Sequence, residues 1–449
     1  MNRARCKNSK MQKPVDTRVQ KSLTLLPWHW LPPLVTLALV LALHLDVPYH
    51  DQWDLLPLLD AYYQGSLQWQ TLLQPHNGHI LFLPKLVMLL LAVLTHWNTL
   101  AEVLFGFVCM LINWFLLQKM AGTFLARPLS ISEKMILSLL VFSLSQAQNW
   151  LWGWQLQIPM ALLFVLTGFS AMYYLKSIWL AFIAASLCGV AASVSFGGSL
   201  PYWIAIIPLL WHRQRWLLLP WLIMTSAGLF TYVNTLLLST DTTINNSTTY
   251  ADVYQLMDIS ELLRHARNTL ALLGNLVARF NLLTATLSGL AAIGIISLQN
   301  LHTRQKSLML TLVLFSIGSA LLVSLSRAGL GDEQMLASRY GTLTLPFWAV
   351  TAMLLMNTVS IAWRISSMAL LLSFLISNIY SLQDFQQMHK RLQRGSVALA
   401  TIDTPQGQHA LPVINPRSDQ TKALQEVEQL KRYQLSFFRN VQTSENSGL

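Results

Sequence analysis

The chain has 449 residues, of which 53% are hydrophobic and only 11% charged, with a mean hydropathy of +0.45. Soluble domains carry about 25% charged residues, so a soluble globular fold is excluded. The formal net charge is +11, but Lys and Arg gather in short loops and in the N-terminal tail, as the positive-inside rule requires, and no nucleic-acid partner is implied.

Residues 1–27 hold Arg3, Arg5, Lys7, Lys10, Lys13, Arg18 and Lys21 against one acid, Asp16. This basic tail is expected in the cytoplasm, sending the first helix outward. No small-residue cleavage site follows Leu45, so the first helix is expected to remain uncleaved. Apolar stretches follow near 28–46, 79–96, 98–118, 133–148, 157–175, 177–196, 200–211, 216–238, 266–298, 307–325, 341–360 and 364–382. Lipid offers the backbone no hydrogen-bond partners, so these predict an all-α, polytopic integral membrane protein with about 11–13 transmembrane helices. The stretch 200–211 is about half a span, set off by Gly197-Gly198, and 266–298 is long enough to begin as an interfacial helix. The spacing of Cys6, Cys109 and Cys188 fits neither a disulfide framework nor a zinc site.

The topology does not close on a simple count. Basic residues between Lys119 and Lys134 mark the end of the 98–118 stretch as cytoplasmic. A first helix going out, followed by two full crossings, would put that end outside. Either one stretch between 79 and 118 is reentrant, or one basic loop breaks the rule. The stretches 46–79, 146–157, 239–265 and 326–340 are poor in Lys and Arg and are assigned to the outer face. Residues 383–449 form a polar C-terminal tail, also expected outside, with an amphipathic helix between Asp419 and Arg439. The expected domains are therefore the tail 1–27, a membrane domain 28–382 and the tail 383–449.

The residues that suggest chemistry border the outer face. Asp51 and Asp54, three apart, share one face if their segment is helical, and a carboxylate at the edge of hydrocarbon is costly without a partner or a task. They either act toward a hydroxyl as general base or cap an interfacial helix. His76-Asn77-Gly78-His79 closes the same loop. Its histidines could share a divalent metal with Asp51, but no second ligand cluster supports this and no metal or other cofactor is predicted. Lys85, early in an apolar stretch, either snorkels or meets an anion. Trp152, Trp154 and Gln155 combine indoles with an amide, which suits either an interfacial aromatic belt or a sugar. Arg339 either clamps a phosphate beside Tyr340 or pairs with Glu333 or Asp332. Asn245-Asn246-Ser247-Thr248 matches a glycosylation pattern that is common by chance.

Taken in order, Tyr49-His50-Asp51-Gln52-Trp53, Asn77-Gly78-His79, Trp152-Gly153-Trp154-Gln155 and Ser338-Arg339-Tyr340 resemble the bacterial, polyprenyl-phosphate-sugar-dependent members of the GT-C superfamily of membrane glycosyltransferases. The resemblance runs over most of residues 28–382. It implies a GT-C-like fold, an inner-membrane location, a lipid-linked sugar donor and a glycan, lipid or protein acceptor in the cell envelope. It implies catalysis by Asp51, with Asp54 as a second acid, because Gln52 stands where the superfamily often has Glu. It implies donor phosphate contacts from Lys85 and Arg339, with His76, Asn77, His79, Trp152, Gln155 and Tyr340 around the substrate. The alternative function is a transporter or flippase of a lipid-linked or anionic substrate, suggested by the break at Gly197-Gly198.

Overall fold

A computed structural model describes residues 27–238, 258–298, 303–357 and 361–440. The basic tail before Pro27, Cys6, the Asn245-Asn246-Ser247-Thr248 pattern and most of the 239–265 stretch lie outside the described residues. Among the described residues there is no strand, and the helices are α1 (Leu31–Leu43), α2 (Leu56–Tyr63), α3 (Trp69–Leu73), α4 (Phe82–Thr95), α5 (Thr99–Phe124), α6 (Ile131–Val141), α7 (Ala147–Leu151), α8 (Gln157–Tyr174), α9 (Ile178–Ser193), α10 (Tyr202–Ala205), α11 (Ile207–Arg213), α12 (Leu218–Leu237), α13 (Ile259–Gly274), α14 (Leu282–Ser297), α15 (Thr303–Ser326), α16 (Leu345–Met356), α17 (Ile361–Ala400), α18 (Pro405–Ala410) and α19 (Gln420–Arg432). Five helical stretches are long and apolar enough to cross a bilayer: Thr99–Phe124, Gly153–Tyr174, Arg215–Leu237, Gln305–Ser326 and Trp363–Ala400. Shorter apolar helices include Trp28–Leu43, Ile178–Ser193 and Leu282–Ser297. The side chains of Leu90, Phe230 and Leu283 point away from the protein interior and are exposed, as lipid-facing residues are.

Two helices do not run across the molecule. The 14 residues of α4 begin and end at the same side of the molecule. One end of α4 follows His79. The other turns at His96, whose carbonyl accepts from Ser436 N at 2.9 Å. Ser436 Oγ also donates to the Asp46 carbonyl at 3.2 Å, so both ends of α4 border the 46–79 loop. The apolar stretch 266–298 divides into α13 and α14. α13 lies along one surface, since Asn268 Nδ2 donates to Asp332 Oδ1 at 2.9 Å and Asn275 Nδ2 to the Met335 carbonyl at 3.0 Å. The α13–α14 hairpin is tight because a Cβ on Gly274 would meet the Ala285 carbonyl at 1.8 Å, and one on Gly289 the Leu270 carbonyl at 2.1 Å. Small residues permit such backbone contact between helices in lipid.

The boundary expected at residue 383 falls inside α17, which continues unbroken through 40 residues, about 60 Å. The composition changes there from apolar to polar, but the backbone keeps its helical repeat as the helix leaves the apolar layer. The segment beyond it is not a separate unit. His50 N donates to the Ile414 carbonyl at 2.7 Å, Tyr433 Oη to Asp60 Oδ1 at 2.6 Å, and Arg439 pairs with Asp46 at 3.1 Å. The tail is folded over the 46–79 loop.

Candidate active site

A cavity of about 380 Å³ opens beneath this cover. Its lining includes Asp51, His76, Asn77, His79, Trp152, Gln155, Arg339 and Tyr340. Motifs separated by up to hundreds of residues therefore converge.

The first wall is the short helical turn His50–Leu55. Gln52 points away from the cavity. Its Oε1 accepts from Tyr49 N at 3.1 Å, and its Nε2 donates to Glu102 Oε2 at 2.6 Å. Glu102 Oε1 also accepts from Trp97 Nε1 at 2.9 Å. Gln52 thus fixes the turn rather than replacing a second acid. Gly153 is required beside it, since a Cβ there would lie 2.3 Å from Glu102 Oε2. Trp152 Nε1 donates to the Tyr49 carbonyl at 3.0 Å, joining the second motif to the first.

Asp51 Oδ1 lies 2.7 Å from Arg417 Nη2, and Asp54 Oδ2 lies 3.2 Å from Arg417 Nη1. His76 sits between the acids, with Nε2 3.7 Å from Asp51 Oδ2 and Nδ1 3.4 Å from Asp54 Oδ2. Burial pushes the Asp51 carboxyl up. The neighbouring His76 ring and Arg417 guanidinium outweigh it, leaving the group below the ordinary carboxylate range. Asp51, Asp54 and His76 each bring one ligand atom within 4.8 Å of the others, a donor set that could hold a divalent cation. The Arg417 guanidinium already supplies positive charge to both carboxylates.

Asn77-Gly78 shapes the second wall. Both residues are left-handed, at φ 49° and 76°, the conformation that an Asn-Gly hairpin turn accepts readily. Reciprocal backbone bonds close it, His76 N to His79 O at 2.8 Å and His79 N to His76 O at 3.0 Å. Asn77 Nδ2 is 2.9 Å from His76 Nε2, and His76 packs edge-on against Trp154 at 5.0 Å. His79 is held neutral, its pKa pushed down to about 3 by burial and by the Arg327 guanidinium, whose Nη2 lies 3.3 Å from His79 Nε2. Gly197 gives that ring its room, as a Cβ there would fall 2.4 Å from His79 Nδ1.

The third wall carries Arg339. Its guanidinium meets Gln148 Oε1 at 3.1 Å, Gln334 Oε1 at 3.3 Å and Tyr340 Oη at 3.3 Å. It does not pair with Glu333 or Asp332. Asp332 is held by Arg264, Arg267 and Asn268 instead. Lys85 does not line the cavity. Its Nζ donates to the Gln74 carbonyl at 2.7 Å, tying the end of the loop to α4, so the expected shared phosphate with Arg339 is not supported by placement.

Arg279, Arg391, Arg417 and Asp384 also line the cavity and were not legible as site residues. Arg279 pairs with Asp384. Among the described residues, Arg327, Arg339 and Arg391 have no carboxylate partner, and Arg391 donates to the Tyr49 hydroxyl at 3.3 Å. The cavity therefore carries a surplus of positive charge over its two lining acids, Asp51 and the Arg279-paired Asp384. The buried Oε1 atoms of Gln155 and Gln157, both lining residues, accept no hydrogen bond. Unsatisfied buried acceptors are costly and suit a ligand rich in hydroxyl donors. No family model, no curated protein and no solved structure matches this chain, so any assignment of function rests on the residues themselves.

Proposed function

We propose that the protein is a GT-C-like glycosyltransferase that moves a sugar from a polyprenyl-phosphate carrier to a cell-envelope acceptor on the outer face of a bacterial inner membrane. One observation carries this reading. A single cavity joins an ionised carboxylate, guanidiniums without acidic partners and buried amide oxygens without donors. Anion, hydroxyl and proton each find a partner there. Arg327, Arg339 and Arg391 would hold the lipid phosphate, and Gln155 and Gln157 would accept from sugar hydroxyls. Asp51 would take the proton of the acceptor hydroxyl as that oxygen bonds to the anomeric carbon. The bond from that carbon to the phosphate oxygen breaks in the same displacement, with inversion, and the lipid phosphate departs with the electron pair. Incubating the purified protein with polyprenyl-phosphate sugars and envelope acceptors should release free polyprenyl phosphate only when both are present. Substrate movement across vesicles without such release would favour a transporter.

The topology supports this reading. With α4 and α13 lying along the outer boundary, α1, α5, α6, α8, α9, α10 with α11, α12, α14, α15, α16 and α17 alternate across the bilayer. Lys119, Lys134, Lys176, Arg213 and Arg364 then all fall on the cytoplasmic side, as the positive-inside rule requires. In this reading the stretch between 79 and 118 that upset the count would be α4. A cysteine at Ser66 should react with a membrane-impermeant maleimide in intact cells, and one at Ser132 only after lysis. Ser66 is preferable to Gly65, whose φ of 68° disfavours a side chain. Labelling in the opposite pattern would invert the topology.

A further inference from the structure

The charge of the cavity exceeds what the proposed donor brings to it. Arg279, Arg327, Arg339, Arg391 and Arg417 line it, against Asp51 and Asp384. Asp54 is outside the lining but shares Arg417 with Asp51. Even with Asp54 counted, the arginines outnumber the acids by two. The phosphate of a polyprenyl-phosphate sugar is a diester and carries a single negative charge, so one positive charge is left over. A cleft lined by one sign of charge concentrates ligands of the other.

The leftover charge has a place. Arg327 stands at the wall of His79. Arg391 stands at another wall, donating to the Tyr49 hydroxyl at 3.3 Å. His50 also lines the cavity there. Its ring packs against Tyr49 at 4.3 Å and edge-on against Trp152 at 5.8 Å. The His50 backbone is left-handed at φ 51°, a conformation that is strained for a residue with a side chain and persists only where its surroundings impose it. Here the bond from His50 N to the Ile414 carbonyl holds the turn. Burial pushes the imidazole pKa down. Asp51 opposes this, while the Arg417, Arg391 and Arg339 guanidiniums reinforce it. Three guanidiniums therefore act on one uncharged ring, and that ring adjoins the proposed base. This wall is built from the 46–79 loop and from α17 beyond its apolar part, with Arg417 from the tail. A group seated on it arrives from water, as a polar glycan does, and not from the apolar layer.

We propose that the acceptor is an anionic glycan, whose phosphate or carboxylate, close to the hydroxyl that is glycosylated, is recognised by Arg391 and His50. The inference rests on the transferase reading above. Arg339 and Arg391 would then lie between two anions, the donor phosphate toward Arg327 and the acceptor's group toward His50.

The test uses the full chain in phosphatidylcholine nanodiscs, saturated with a polyprenyl methyl phosphodiester that carries the single charge of the donor. Three probes are titrated into it by calorimetry: methyl glucoside, methyl glucuronide and methyl glucoside 6-phosphate. At least one charged probe should bind about tenfold or more tightly than methyl glucoside, the worth of a hydrogen bond to a charged group. Tighter binding of the glucuronide would mark a uronic acid, and of the phosphate a phosphorylated sugar. Arg391→Gln should erase the preference. His50→Asn, a residue that tolerates the left-handed backbone, should reduce it. Arg432→Gln, which removes one charge from the exposed side of α19, should preserve it. Equal affinities for the three probes, binding of none, or displacement of the charged probes by the phosphodiester would leave room for one anion and overturn the proposal. A preference that survives both Arg391→Gln and His50→Asn would overturn it as well. Binding of the charged probes with no release of lipid phosphate from any polyprenyl-phosphate sugar would keep the second anion site and remove the transferase. Release that runs as fast with neutral as with anionic glycans would do the reverse.

Discussion

Asp51→Asn should leave a folded, inserted protein that no longer transfers sugar. Asparagine keeps the shape of the side chain, and Arg417 still has Asp54 at 3.2 Å. What disappears is the proton acceptor, a loss of about 10²–10⁴ in rate. Asp54→Asn, at the more exposed of the two acids, should cost less. The pH dependence follows from the depressed pKa of Asp51. A carboxyl held below its unfolded value of about 3.9 contributes stability above that pH and loses it as pH falls through the folded value. The wild-type rate should therefore show no acid limb from Asp51 between about pH 5 and 8. Turnover of the asparagine variant at the wild-type rate would sink the assignment, and an acid limb above about pH 5 that vanishes in it would mean that Arg417 leaves the carboxylate during the reaction.

The second large effect concerns the donor phosphate. Arg327→Ala and Arg339→Ala should each weaken donor binding by about 10- to 100-fold, the range of a hydrogen bond to a charged group. Residues acting on one ligand group couple energetically, so the double variant should lose less than the product of the two. Lys85→Ala is the contrast, because Lys85 is joined to Gln74 and does not line the cavity. Its effect should add independently to that of Arg339→Ala. Arg339→Lys should rescue only in part, since a lysine cannot reach Gln148 and Gln334 together with a planar fork. Donor affinities of the single and double variants decide the matter. Additivity for Arg327 with Arg339, or an unchanged affinity in either alone, would leave no shared phosphate site.

The helical character of the chain and one side of its cavity were legible because lipid makes polar residues conspicuous. Asp51, His76, His79 and Arg339 stand out against apolar sequence, and folding brings them to one space. Arg391 and Arg417 were not legible, because polar helices outside a bilayer usually carry such charges without any task. The amphipathic pattern of the tail marks Leu430 and Leu435 as a face to be buried, but nothing local says that this face draws the tail back over the loop. Gln52 illustrates a different obstacle. It resembles a missing acid until its partner, Glu102, is seen 50 residues away on α5. α4 has the composition of a span, and only the contact of its far end with Asp46 through Ser436 places both of its ends at the first loop.

The folding of the tail over the first loop has a consequence for biogenesis. Asp54 is synthesised 363 residues before Arg417. At about 5–20 residues per second, the two acids wait roughly 20–70 s for their guanidinium. In the proposed topology they would stand at the outer boundary during that interval, their charge uncompensated by Arg417, while ten further crossings are threaded behind them. In that topology Arg391 and Arg417 would then be exported against the distribution of positive charge that orients the earlier loops. A half-made molecule would therefore hold its carboxylates, histidines and indoles in place and still lack the cavity's last wall. Completion of the site would coincide with arrival of the tail on the far side of the membrane, and a nascent chain stalled before α17 would have no means of consuming lipid-linked sugar.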